Sequence, residues 1–174
     1  MENKLKSIIR NIPDFPKPGI NFKDITPLFQ DPVIVEEMTN ALAEEWKDKD
    51  VNAVVGVESR GFLLGPGLAI KLGVPFVPVR KKGKLPAETI EYSYDLEYGS
   101  ATIEMHKDAV TEGQNVLIHD DLLATGGTAN VAAKLVELMG ANASGFSFIV
   151  ELKELGGFDY LCKPNAPVHS LVTY

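Results

Sequence analysis

The sequence predicts an α/β fold, with a central, mainly parallel sheet flanked by helices. Short apolar runs rich in β-branched residues recur along the chain, and longer stretches of helical periodicity separate them. This alternation indicates βαβ units. A length of 174 residues suits one domain and is enough to bury roughly two-thirds of the unfolded surface.

The elements follow in order. Asp31-Pro32 reads as an N-cap with proline at the first helical position, and Ile34, Met38, Leu42 and Trp46 recur behind it as one apolar face. Residues 51–57 form a short β-branched run, the mark of a buried strand. Residues 62–72 are apolar on most sides and close at Gly73, a helix C-cap. Strand-like runs follow at 74–79 and 116–118. Residues 128–139 read as a helix with Val131, Leu135 and Leu138 on one stripe and Gly140 behind it. Two more strands are expected at 146–150 and 168–172. Between 80 and 107 the pattern turns to alternating polar and apolar residues, with Tyr92, Tyr94, Leu96 and Tyr98 in phase. That suits a hairpin or a mobile flap better than a sheet core. No repeat, low-complexity tract or Pro-, Gly- or Ser-rich linker divides the chain, so a single domain over 1–174 is expected.

Composition narrows the function classes. The chain carries 17 Lys and Arg against 24 Asp and Glu, a net charge of −7. A general nucleic-acid binder needs a basic footprint, so that class is excluded. Apolar runs never reach the ~18 residues of a membrane span. Residues 1–10 carry positive charge but only Ile8-Ile9 as an apolar run, unlike a signal peptide. The one cysteine, Cys162, allows neither an internal disulfide nor a cysteine zinc cage, and reads as a small hydrophobe or an idle surface thiol. His106, His119 and His169 lack metal-ligand spacing. A cytoplasmic protein is expected.

Ligands of open parallel sheets sit beyond the carboxyl ends of the strands. After the run at 116–118 comes His119, then Asp120-Asp121-Leu122-Leu123-Ala124-Thr125-Gly126-Gly127-Thr128 and a helix. The Thr-Gly-Gly-Thr turn lets several backbone N–H groups converge on one anion, and its glycines permit left-handed backbone and close approach of a phosphate. The threonine hydroxyls add donors. Ionised Asp120 and Asp121 can accept hydrogen bonds from adjacent sugar hydroxyls. A phosphate cradle beside a diol grip describes a ribose-5-phosphate site. The bland alternative is an acidic turn before a capped helix. A strand ending in Asp-Asp also suggests a nucleotide hydrolase, but after Gly56-Val57-Glu58-Ser59-Arg60-Gly61 the required Lys and Ser/Thr are Phe62 and Leu63. No GxGxxG follows a strand either.

Residues 116–128 resemble the phosphoribosyl-diphosphate (PRPP) signature of the type I phosphoribosyltransferases, in the form it takes in their adenine-using branch. The resemblance runs from about residue 14 to 153 through four segments. It implies that Asp120, Asp121, Ala124, Thr125, Gly126, Gly127 and Thr128 bind the ribose and 5-phosphate. Glu58-Ser59-Arg60-Gly61 resembles the family's diphosphate loop, which carries a non-proline cis peptide. Glu58 stands where aspartate is usual, and His119 where an apolar residue is; we read His119 as a satisfied strand-end histidine. In the third segment, 80–107, four of the 17 basic residues fall at Arg80, Lys81, Lys82 and Lys84. The resemblance makes Ser59, Arg60, Arg80, Lys81 and Lys84 diphosphate contacts and Leu96-Glu97-Tyr98-Gly99 the tip of a catalytic flap. Glu97 is then the acid/base residue, with Arg60 beside it in the catalytic set.

The fourth segment is Asp14-Phe15-Pro16-Lys17-Pro18-Gly19-Ile20-Asn21-Phe22-Lys23-Asp24. Its prolines and glycine exclude regular helix or central strand over 16–19. Phe15 and Phe22 offer flat faces for a planar base, or else plug the core. The resemblance is to the N-terminal hood, within residues 1–30, where Asn21, Phe22 and Lys23 bind adenine.

The resemblance as a whole implies a type I phosphoribosyltransferase fold with a short hood and a flexible hairpin flap. Its reaction is adenine + PRPP to AMP + diphosphate, in purine salvage. It implies Mg2+ carried on PRPP and touching Asp120 and Asp121 through water, no direct protein metal site, a homodimer, and no nucleic-acid or membrane partner. The alternatives are a transferase for hypoxanthine, guanine or xanthine, and a PRPP-sensing regulator.

Overall fold

The computed structural model describes residues 1–95, 100–161 and 166–174. A helix α1 (Glu2–Ile8), not foreseen from the sequence, leads into a small antiparallel pair, β1 (Arg10–Ile12) with β2 (Phe22–Asp24). Then come α2 (Pro32–Trp46), β3 (Ala53–Val57), α3 (Gly65–Leu72), β4 (Phe76–Lys81), β5 (Thr89–Asp95) and β6 (Ser100–His106). The chain continues through β7 (Asn115–Leu123), α4 (Gly127–Leu138), β8 (Asn142–Glu151), the single turn α5 (Gly157–Tyr160) and β9 (Val168–Thr173).

Among the described residues the main sheet has seven strands in the order β5-β6-β4-β3-β7-β8-β9. The five strands from β4 to β9 run parallel, as the βαβ pattern required. The hairpin β5–β6 joins antiparallel through β6 to β4. Segment 80–107 is therefore part of the sheet at its base, and Ile103 and Met105 are buried. The turn between β5 and β6 lies outside the described residues.

Both faces of the central strands are covered, which is why β3 and the first half of β7 read as unbroken apolar runs. Val55, Val57, Val116 and Ile118 face the cluster under α4, with Ala132, Leu135 and Val136. Val54 and Leu117 face the opposite cluster, with Leu68 of α3 and Met38, Leu42 and Trp46 of α2. The expected apolar face of α2 is thus buried, and its N-cap is made by Asp31 Oδ1, which accepts the Val33 N–H at 2.9 Å.

Three expectations need correction. Residues 62–72 are not one helix: Arg60–Phe62 is a single 3-10 turn, and α3 begins at Gly65, just ahead of Pro66. Leu138 leaves the buried stripe of α4 and is 56% exposed. Finally, β7 does not stop at Ile118; pairing with β8 carries it through His119, Asp120 and Asp121 to Leu123.

Candidate active site

In the sheet order, β4, β3 and β7 lie side by side and parallel, so their carboxyl ends meet at one edge. The segments just beyond these three strand ends build the site. Beyond β7, Gly126 adopts φ +82° and turns the chain into α4, whose first residue is Gly127. A Cβ at Gly126 would lie 2.6 Å from the Gly157 carbonyl oxygen, so position 126 needs glycine for space as well as for backbone angle. A depression there is lined by Asp120 and by residues 122–129. The turn expected to cradle a phosphate is therefore present, and the depression lies at the N-terminus of α4, where first-turn N–H groups lack helical partners.

Asp120 and Asp121 stand inside β7, on its last paired stretch. The Asp121 N–H donates to Asp120 Oδ1 at 2.8 Å. Burial pushes the Asp120 carboxyl well up, and the adjacent Asp121 charge pushes it further. Burial raises Asp121 as well, against the pull of Arg60. Neighbouring carboxylates in a dry site disfavour double ionisation. Donors of the right kind, sugar hydroxyls or a cation, would restore both charges.

After β3 the Glu58–Ser59 peptide is cis, as the resemblance implied. The turn Arg60–Phe62 then brings Arg60 Nε to 2.8 Å from Asp121 Oδ2. Gly61 makes that approach possible: a Cβ on it would lie 2.9 Å from the His119 carbonyl oxygen. One cleft is lined by Glu58, Ser59, Arg60, Asp120, Asp121 and Thr128, so the loop after β3 and the acidic pair open onto common space.

Of the basic cluster, Arg80 is engaged with protein. Its Nε and Nη2 reach Glu58 Oε2 and Oε1 at 3.2 and 3.3 Å, and its Nη1 donates to the Lys84 carbonyl at 3.1 Å. Burial alone would raise the Glu58 carboxyl, but the Lys81 N–H and the Arg80 guanidinium outweigh it and hold it below the usual range. Lys82 pairs with Glu91 at 2.7 Å. Lys81 and Lys84 have no ion-pair partner among the described residues. Sequence reasoning foresaw the cluster, but it did not see that Arg80 ties the loop after β4 to the loop after β3.

The hood sits against the same edge. Phe22 of β2 packs edge-on to Phe15 with ring centroids 5.2 Å apart, and Phe15 is 51% exposed. The Phe22 ring also lies 5.7 Å from the Arg60 guanidinium carbon, so the hood borders the diphosphate loop. Lys23 Nζ donates to Asn11 Oδ1 at 2.6 Å and lies 3.9 Å over the Tyr174 ring. Neither Asn11 nor Tyr174 carried a signal in the sequence. The Asp14–Ile20 loop is closed by Asp14 Oδ1, which accepts the Gly19 N–H at 2.7 Å.

His119 is not at a strand end. It is fully buried in mid-β7, with Nδ1 3.4 Å from Ser147 Oγ and Nε2 lacking a hydrogen-bond partner among the described residues. Burial pushes its pKa down to about 4. Glu97 and Cys162 lie outside the described residues. Among the described residues, no group of three or more His, Cys, Asp or Glu side chains could hold a metal ion, and no helix is long and apolar enough to cross a membrane.

The pattern of the phosphoribosyl transferase domain family matches residues 27–150, well over half of the chain. An adenine phosphoribosyltransferase of Bacteroides thetaiotaomicron is 54% identical over 156 residues, 90% of this chain and 88% of its own length. One from Nostoc punctiforme is 49% identical over 172 residues, 98% of this chain and 99% of its own. Among solved structures, adenine phosphoribosyltransferase from Thermoanaerobacter pseudethanolicus superposes with a TM-score of 0.94 at 49% identity, covering 99% of both chains. The Saccharomyces cerevisiae enzyme, solved with an imino-altritol bisphosphate and adenine, gives a TM-score of 0.90 at 44% identity over 97% of both chains.

Proposed function

Since the chain belongs to the phosphoribosyl transferase domain family, we propose that it acts as an adenine phosphoribosyltransferase. It moves the 5-phosphoribosyl group of PRPP onto N9 of adenine, giving AMP and diphosphate in purine salvage. The observation that carries this reading is the cleft at which three segments meet: the Ser59-Arg60 turn, the Asp120-Asp121 pair and Thr128 at the head of α4. Phe22 of the hood borders it through Arg60.

In this reaction the N9–C1′ bond forms as the C1′–O bond to diphosphate breaks; the bonding pair leaves with the diphosphate, and the ring N–H proton of adenine passes to the acid/base group. Ala124, Thr125, Gly126, Gly127 and Thr128 hold the 5-phosphate by backbone N–H and hydroxyl groups. Asp120 and Asp121 accept hydrogen bonds from the ribose hydroxyls. Asn21, Phe22 and Lys23 bind the adenine. Holding both reactants in line supplies up to about 7–11 kcal/mol of the barrier lowering. Ser59, Arg60, Lys81 and Lys84 take the charge that gathers on the departing diphosphate. Arg80 contributes to that binding too, through its hold on Glu58 and Lys84. Glu97, at the flap tip, serves as the acid/base group.

The two carboxylates suit Mg2+ as an ion carried on PRPP rather than caged by protein, because Asp121 already has Arg60 at 2.8 Å and Glu58, the other carboxylate of the cleft, is held by Arg80 and the Lys81 N–H. Asp120 and Asp121 would then meet it through water, and the hard cation would offset the negative charge gathering on the phosphate oxygens. We extend the reading to a cytoplasmic homodimer built from one domain over 1–174, with its hood at 1–30 and its flap at 80–107.

Competition among adenine, hypoxanthine, guanine and xanthine with PRPP and Mg2+ tests the assignment. Adenine should turn over fastest. Faster conversion of hypoxanthine or guanine overturns the substrate, and PRPP binding without turnover of any purine favours a PRPP-sensing regulator.

A further inference from the structure

A buried carboxylate remains that none of the steps above uses. Glu104 lies on β6, opposite Arg80 in the register with β4, and is 3% exposed. Strand alternation puts it on the face opposite the buried Ile103 and Met105. It is covered because the chain beyond β4 folds back over it. The N–H groups of Lys84 and Leu85 both donate to Glu104 Oε1 at 2.8 Å, and Thr89 Oγ1 lies 3.5 Å from Oε2. Burial alone would raise this carboxyl; the N–H groups of Leu85, Gly83 and Lys84 outweigh it and keep it below the usual range. Two consecutive amides thus converge on one oxygen of an anion supplied by the protein itself.

The other side of the same residue is held as well. The Lys84 carbonyl accepts Arg80 Nη1 at 3.1 Å, and Arg80 is clamped by both oxygens of Glu58, whose next peptide opens the diphosphate loop. Lys84 is therefore fixed at its N–H by Glu104 and at its C=O by Arg80. Its ammonium is near enough to Glu58 to help hold that carboxyl low. With the Lys84 and Leu85 amides turned inward on Glu104, these two residues can offer an outside anion only their side chains.

We infer that Glu104 is a positioning residue for diphosphate recognition, fixing residues 83–85 so that the Lys84 ammonium is presented beside the Ser59-Arg60 turn. This rests on the reading of Lys84 as a diphosphate contact, and its test keeps the two apart. Native-state hydrogen exchange of the ligand-free protein should show the Lys84 and Leu85 amides protected. Protection should be lost in Glu104→Ala and partly kept in Glu104→Gln, whose amide oxygen can still accept. Inorganic diphosphate with Mg2+, measured by calorimetry, should bind about tenfold more weakly to Glu104→Ala, and Glu104→Gln should fall between it and the native protein. In turnover, KM for PRPP should rise by a similar factor while KM for adenine stays unchanged, a split that general loosening would not give. Retained amide protection in Glu104→Ala overturns the proposal, as does unchanged diphosphate affinity once protection is lost. If the native protein converts no adenine, the functional reading fails, while the exchange and diphosphate measurements still decide the role of Glu104.

Discussion

Arg60 Nε lies 2.8 Å from Asp121 Oδ2, joining the turn after β3 to the acidic pair within β7. The carboxylate end of this pair is 6% exposed and the guanidinium end 46%. The half-exposed arginine is free to turn outward, while the buried aspartate cannot follow it and would need a new partner if it did. In the proposed reaction the ribose hydroxyls would be that partner.

Replacing that carboxylate should weaken PRPP binding. Asp121→Asn is expected to lower affinity about tenfold or more, the usual worth of a hydrogen bond to a charged group. Calorimetry with PRPP and Mg2+ measures it. Native affinity in the variant would remove Asp121 from the ribose site.

The cradle should fail at two positions for different reasons. Thr125→Ala deletes one hydroxyl donor and should raise the PRPP dissociation constant several-fold with no change in stability. Gly126→Ala places a Cβ 2.6 Å from the Gly157 carbonyl oxygen at a φ of +82°. It should cost at least about 2 kcal/mol by denaturant unfolding and reduce PRPP binding as well. A Gly126→Ala protein of native stability would contradict the turn geometry.

Glu97→Gln should lower kcat by more than tenfold and leave KM for adenine nearly unchanged, since general acid/base groups contribute about 10²–10⁴-fold. Unchanged turnover would strike Glu97 from the catalytic set. Chelation of Mg2+ should abolish turnover in both proteins, and its return should restore each to its own rate.

His119 should make the protein acid-labile. Its folded-state pKa is pushed down to about 4 from 6.5 by burial, so the folded protein refuses a proton that the unfolded chain accepts. Above 6.5 both states are neutral at this site and nothing is lost. As pH falls from about 6.5 toward 4, stability should drop by roughly 3 kcal/mol in total. The raised carboxyls of Asp120 and Asp121 act in the opposite sense, gaining stability as they protonate. Comparing urea unfolding of the native protein and His119→Val between pH 7 and 4.5 isolates the histidine, because both carry the carboxyl pair. Parallel curves would show that His119 carries its proton in the fold.

Local chemistry made much of the site legible in advance. The run 120–128 announced a tight glycine turn entering a helix beside two carboxylates, and the structure has that turn at Gly126 and the helix from Gly127. The parallel core was legible too, since strands covered on both faces must be apolar throughout. Boundaries were less so. β7 runs past its apolar portion to Leu123 because β8 continues to pair with it, and hydrogen bonding between strands leaves no mark in hydropathy. The helix expected over 62–72 gave way to a turn and a later start at Gly65, since Gly61 has to meet the His119 carbonyl on the neighbouring strand.

Residue types and their spacing, by themselves, determined the sheet, the phosphate turn, the acidic pair and the basic cluster, because backbone angle, periodicity and local donor geometry are properties of a few adjacent residues. Tertiary structure alone decided how the charges are shared out. Arg80 binds Glu58 across 22 positions of sequence, Arg60 reaches Asp121, and Glu104 is buried under a loop 20 residues earlier in the chain. Which carboxylate meets which cation depends on strand order and register, and these are set by the packing of both faces of the sheet at once. The opposite charges were all visible in the sequence; their partners became definite only when β3, β4 and β7 came to lie side by side.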